Sequence, residues 1–285
     1  IHFITEPIKL DSGSVVKAEP GARLVGAHRL KPDACERGVY VCDLKAAGIE
    51  PAGFVSRGFG RSIRASHSEL YINSRPMNVS QYPKAGSFLK ITGFGEPESN
   101  EWDSKVGKLT GGFFYEDERP KSWKKGQQIW THGYWAWDWS PSRERVETLD
   151  TERGFVMNAE PYGQYSFIKG QRFYFFNIIE EVTEPGDYCI DFDAGKLYFK
   201  PFDGTDIDSA EILLSMCDMP AFELDGVKDI TIEGFTIEGF RGNAITVNNC
   251  ENIRISGCEI RNVGNRGIVV DNSMNVIVSN CKIHD

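Results

Sequence analysis

The chain has 285 residues, 32 Lys+Arg against 41 Asp+Glu and a formal charge of −9, enough length for one large domain or two ordinary ones. Basic residues are interspersed with carboxylates, which argues against a nucleic-acid surface, since phosphate contacts need a basic stripe. The longest apolar runs, such as Ile212-Leu213-Leu214, fall far short of the roughly 18 residues that carry a helix across a bilayer, so neither a nucleic-acid nor a membrane partner is expected.

The first residue is Ile1 and no signal layout follows, which reads as a processed product or a fragment. Seven cysteines without a Cys-x-x-Cys pair fit reduced thiols, which favours a cytoplasmic location over a secreted one. With 18 Phe, 10 Tyr, 6 Trp and 29 Gly, the composition favours strands and turns. Residues 1–26 break into short apolar pieces around glycine and read as a first coil or cap. Residues 27–205 are aromatic and strand-rich without a repeat, and read as a β-rich insertion or N-terminal domain. Within them Tyr188–Phe192, a turn at Asp193–Lys196 and Leu197–Phe199 form a hairpin, and Asn177–Val182 one helical turn.

Residues 206–285 carry the strongest pattern. Three segments starting at Ala221, Ala244 and Gly267 align without a gap at a period of 23. Phe222, Ile245 and Ile268 share a column, as do Leu224, Val247 and Val270; Ile230, Ile253 and Val276; Ile232, Ile255 and Val278; and Ile237, Ile260 and Ile283. Alternation at period 2 in three short runs per repeat describes three strands joined by turns. A single such unit cannot bury its own apolar side chains, whereas parallel stacking of coils can. The fold class is therefore all-β, a right-handed parallel β-helix of 23-residue coils with a β-rich insertion. Ile212 and Leu214 precede Phe235 and Ile237 by the same period, which extends the stack upstream of Ala221. Gly234, Gly257 and Asn280 share a column suited to left-handed bends, and Asp229, Asn252 and Asn275 one suited to an amide ladder.

The runs Glu69–Met77 with Gln81-Tyr82-Pro83, Gly133–Trp139, and Gln171–Glu181 through Pro185–Tyr188 resemble the bacterial β-helix carbohydrate-active proteins, glycoside hydrolase family 141 in particular. The resemblance covers nearly the whole chain and implies an N-terminal portion of a longer protein, with further coils continuing the stack and the main catalytic carboxylates beyond Asp285. On that reading the 285 residues hydrolyse glycans poorly by themselves. The implied partner is an oligo- or polysaccharide, with no cofactor and no metal. The implied reaction is glycosidic hydrolysis by paired carboxylates. A lyase or epimerase on uronic-acid glycans, or a non-catalytic glycan-binding module, uses the same scaffold.

Residues one period apart are neighbours about 4.8 Å apart across the coils. The column Glu238, Arg261, His284, followed by Asp285, therefore offers a carboxylate, a guanidinium and an imidazole in one outward row, with Glu238, His284 and Asp285 as candidate catalytic groups. A cleft along Arg241, Arg261, Arg266 and His284 would bind substrate. The tryptophan-rich run adds Trp135, Trp137 and Asp138, with Trp135, Trp137 and Trp139 on one face if the strand is extended. That face is either core or a platform for sugar rings. Cys258 and Cys281 align with Phe235 and read as small buried apolar residues. The column Asp225, Asn248, Asp271 reads as turn residues rather than a calcium site.

Overall fold

The computed structural model describes residues 1–100 and 104–285. Phe222–Asp225, Lys228–Glu233 and Thr236–Phe240 form one coil, and each strand pairs in parallel with its counterpart one period later: Ile245–Asn248, Glu251–Ser256 and Glu259–Val263, then Ile268–Asp271, Met274–Ser279 and Lys282–His284. The registers match the columns residue for residue, Phe222 to Ile245 to Ile268 and Ile237 to Ile260 to Ile283 among them. Ile230, Ile232, Ile237, Ile253, Ile255 and Ile260 are buried in one continuous core. Val247, Ile255 and Ile260, with a coil on each side, are buried, whereas Val270, Val278 and Ile283 in the last described coil are exposed, so the core exists only because the coils stack.

The turn columns carry the backbone geometry that stacking demands. Gly234, Gly257 and Asn280 have φ of 81°, 62° and 54°, and Asp229, Asn252 and Asn275 have φ of 58°, 58° and 53°. The Asn252 amide donates to Asp229 Oδ1 at 2.9 Å and the Asn275 amide to Asn252 Oδ1 at 3.0 Å, a ladder in which each side chain also offsets the left-handed strain of its backbone.

The start of the chain belongs to this stack. Val15–Lys17 pairs in parallel with Thr231–Glu233, Arg23–Val25 with Thr236–Glu238, and Ile8 bridges to Phe222. The chain then leaves after Gly26 and returns at Cys217, and the Met216 and Cys217 amides both donate to the Gly26 carbonyl, at 2.9 and 2.8 Å. What lies between is an insertion of mainly antiparallel sheets, with Asn78–Val79 pairing in parallel with Asp187 and Tyr188. Ala27–Leu30, Ile212–Ser215, Leu70–Ile72 and Arg75–Pro76 form a four-stranded sheet next to the coils. Here the expectation for Ile212 and Leu214 is corrected: they pair antiparallel with Leu30 and His28 and contribute to the core of the insertion, not to a coil. A coincidence of spacing in one apolar run does not specify parallel pairing.

A larger antiparallel sheet runs from Gln81–Tyr82 through Arg172–Phe176, Trp130–Gly133, Ser142–Asp150 and Phe155–Asn158 to Phe113–Phe114 and Gly93–Phe94. Asp187–Asp191 and Lys196–Phe199 form the hairpin read from the sequence, and Ile179–Glu181 is a 3-10 turn. No helix among the described residues is long and apolar enough to cross a membrane.

Candidate functional site at the seam between coil and insertion

The insertion sits on the turns that follow the third strand of each coil. The tight hairpin between Leu70–Ile72 and Arg75–Pro76 turns at Asn73 and Ser74, with φ of 51° and 61°. Its tip is fixed to the coils: the Asn262 amide donates to the Ser74 carbonyl at 2.8 Å and the Arg261 guanidinium to Ser74 Oγ at 3.1 Å. The strand leading into it is joined to the previous coil, Ser66 N donating to the Arg241 carbonyl and Arg241 Nε to the Ser66 carbonyl, both at 2.8 Å. Gly264 lies so close that a Cβ there would meet the Arg241 carbonyl at 2.3 Å, so no larger residue fits without shifting backbone.

Between these attachments a cavity of about 330 Å³ opens. Glu69 stands in its wall, its amide donating to Ser215 Oγ at 2.7 Å and its Oε2 accepting from Tyr71 OH at 2.9 Å. Burial pushes the Glu69 carboxyl above its ordinary value, against the opposing influence of the Tyr71 hydrogen bond and of Arg143 and Arg57. Deeper in, the His67 ring meets Tyr188 OH at 2.9 Å and stacks on Phe54. Burial, with Arg143, Arg57 and Arg241 nearby, lowers His67 to about 3, so the imidazole is neutral at ordinary pH. Arg143 lies over the Phe176 ring at 5.8 Å. On the coil side Asn262, Val263, Gly264 and Asp285 complete the lining. Among the described residues the Oδ1 of Asn262 is buried without a hydrogen-bond partner, an acceptor left open at the cavity.

The residues singled out from sequence are dispersed. Glu238 is 1 % exposed, with Oε1 on Arg23 and Oε2 on Arg261 Nε at 2.8 Å. Arg23 continues to Glu211 at 2.6 Å, and Glu211 to Arg29 at 2.7 Å. Both oxygens of Glu238 are thus committed to arginines, which makes it an anchor of the stack. His284 meets Glu259 Oε1 at 3.0 Å and Asp285 Oδ2 at 2.5 Å. Hydrogen bonds from His284 and Lys282 hold Glu259 below the ordinary carboxylate range. Of the catalytic trio only Asp285 lines the seam cavity. Arg241 and Arg261 act as clamps between coil and insertion, and the exposed Arg266 engages through its backbone amide, which donates to Asn243 Oδ1 at 3.3 Å. None of Arg241, Arg261, Arg266 and His284 lines the seam cavity.

Trp135 is buried and its indole N–H donates to Ser142 Oγ at 2.8 Å, which settles it as core. The common face of Trp135, Trp137 and Trp139 does not form, because the strand ends at Gly133 and the chain turns. Trp137 and Asp138 are exposed, Asp138 pairing with Arg172 at 2.6 Å. Cys258 is buried and Cys281 half-buried. Asn248 and Asn249 donate to Asp225 Oδ1, as turn residues do. Among the described residues no cluster of three or more His, Cys, Asp or Glu is arranged to hold a metal ion.

Sequence reasoning missed Glu69, His67, Tyr71, Arg143 and Tyr188. One signal was available: Ser66-His67-Ser68-Glu69 is a polar run abutting the wholly apolar Leu70–Ile72.

A family model described as right handed beta helix region matches residues 217–285. Among solved structures, a chain titled "Glycoside hydrolase" superposes with a TM-score of 0.69 at 12% identity, covering 93% of this chain and 54% of its own. A second, titled "The complex structure of XylC with xylose", aligns over 99% of this chain and 48% of its own at 12% identity, with a TM-score of 0.37. The chain spans about half the length of these structures. No curated protein matches.

Proposed function

We propose that this protein is a glycan-active β-helix protein of the glycoside hydrolase kind, related to family 141, and that the seam cavity receives the sugar flanking the scissile bond. The observation that carries the reading is the seam itself: Glu69, a carboxyl kept above its ordinary value by burial, shares one cavity with a second carboxylate, Asp285. The name of the superposing hydrolase supports the reaction class. Environments that separate two carboxyls into acid and base roles are what glycosidic cleavage uses. Glu69 in its protonated form donates to the leaving glycosidic oxygen. Asp285, oriented by His284, takes the proton of the water that attacks the anomeric carbon as the bond to the leaving oxygen breaks. Asn262 Oδ1 and Arg143 orient the sugar, the first by accepting from a hydroxyl.

The test is release of reducing ends from a panel of plant and host glycans by the wild type, Glu69→Gln and Asp285→Asn. Glu69→Gln should lower the rate by about 10²- to 10⁴-fold while sugar binding persists. In the wild type the rate should fall as pH rises through the raised value of Glu69, because the acid form is then lost. Unchanged release in Glu69→Gln overturns the assignment. Unsaturated, ultraviolet-absorbing products would identify a lyase instead.

A further inference from the structure

A second cavity, of about 460 Å³, lies wholly within the insertion. It falls within the size range of pockets for small ligands. Phe54 and Trp130 give it an aromatic lining, and Arg61, Arg64 and Arg145 stand around it, with Glu160 as the only carboxylate among its lining residues. Arg61 is structural: it donates to both oxygens of the buried Glu144, at 2.9 and 2.7 Å, and to the Pro161 carbonyl at 2.7 Å, tying the two sides of the groove together. Arg64 and Arg145 are exposed, and among the described residues neither side chain has an ion pair, a hydrogen bond or a ring partner.

Arg254 and Arg266 are likewise exposed without a side-chain partner among the described residues, but neither borders this groove. Arg23, Arg29, Arg119, Arg172 and Arg261 are all paired with carboxylates, in a protein whose formal charge is −9. Two exposed guanidiniums without carboxylate partners attract anions to the groove they border. The guanidinium fork matches carboxylate and sulfate oxygens in bidentate fashion, and an aromatic lining suits the apolar face of a pyranose. Beyond the groove, the exposed Phe59, two residues before Arg61, and the half-buried Tyr165, next to the lining residue Gln164, meet the exposed Trp139 edge-on at 4.9 and 5.4 Å. Such a cluster offers a stacking surface to a neighbouring sugar unit.

We propose that this groove binds an anionic saccharide, with Arg64 and Arg145 holding its carboxylate or sulfate group and Trp139 stacking on an adjoining ring. The site is separate from the seam and does not depend on the reaction proposed there.

Titration calorimetry of the full chain with an oligogalacturonate, a heparin-derived sulfated oligosaccharide and a neutral xylo-oligosaccharide tests it. At least one anionic probe should bind about tenfold or more tighter than the neutral one, and more weakly as salt is raised. Arg64→Gln and Arg145→Gln should each weaken that binding about tenfold with an unchanged melting midpoint, since neither side chain has a partner to lose. Trp139→Ala should weaken longer oligosaccharides more than short ones. Glu69→Gln should leave the binding intact, which separates this site from the seam. Preference for the galacturonate identifies a uronate ligand, and preference for the heparin fragment a sulfated one. Equal affinity for neutral and anionic probes, absence of binding, or anionic binding untouched by both arginine variants overturns the proposal.

Discussion

The coils and the insertion bury apolar surface by different rules. From Phe222 onward each coil strand meets its counterpart one period later, so Ile255 packs between Ile232 and Val278 in strict register. In the insertion, partners come from wherever an antiparallel turn places them: Trp130 lies opposite Arg145 on one side and Phe176 on the other. The regular part supplies rigidity and the irregular part supplies concave surface. Both cavities described above draw most of their lining from the insertion, and the coils contribute a firm wall to one of them. Function on variable segments carried by a regular scaffold follows from this division.

The stacked coils are most vulnerable at Ile255, which is fully buried. Replacement by Asp should prevent folding, because truncation of such a side chain alone costs about 2 to 5 kcal/mol and the buried charge adds to that. A soluble Ile255→Asp variant with an unchanged thermal midpoint would refute the inward column. Next in size is Glu238→Ala, which leaves Arg23 and Arg261 without their shared carboxylate. Breaking a buried ion pair typically costs about 3 to 5 kcal/mol, read here as a lower denaturant midpoint. A loss of activity without loss of stability would instead favour Glu238 as a catalytic candidate.

His67 sharpens the insertion side. Its folded-state value of about 3 lies below its unfolded value, so the unfolded chain binds the extra proton first as pH falls. This contribution to stability is present above about pH 6.5 and is lost progressively down to about pH 3, by at most about 1.4 kcal/mol per pH unit. The pH dependence of the melting midpoint should be shallower in His67→Gln; an identical slope would show that His67 is not the group responsible. The smallest effect is Asn252→Ala, which removes a rung of the ladder and places alanine at φ 58°. A cost of about 1 to 2 kcal/mol is expected, with Asn252→Gly costing less. Equal midpoints for the three proteins would show that the ladder contributes nothing.

The coils were legible because matched columns repeat a local rule three times, and Phe222, Ile245 and Ile268 declare their neighbours without any knowledge of the rest. The same logic misled at Ile212, where one apolar run kept the spacing without the pairing. The outward row of Glu238, Arg261 and His284 was correctly placed as a row, with pairs Glu238–Arg261 and Arg261–His284 in register. Its burial was not legible, because Arg23 comes from a coil far away in sequence and Glu211 from the returning strand. The seam was beyond reach for the same reason: Glu69, Arg143, Tyr188 and Asn262 meet only after four distant segments are assembled.

The closed neck at Gly26 and Cys217 has a consequence for synthesis on the ribosome. Arg23–Val25 must keep one edge open until Thr236–Phe240 emerges, while the whole insertion is made in between. At about 5 to 20 residues per second that wait is roughly 10 to 40 s. Throughout it, a short strand with an unfilled edge is available to any other nascent chain. The insertion, whose sheets need no coil strand to pair, can fold first and bring the two ends of the neck together, so that closing the first coil becomes a local event rather than a search across two hundred residues.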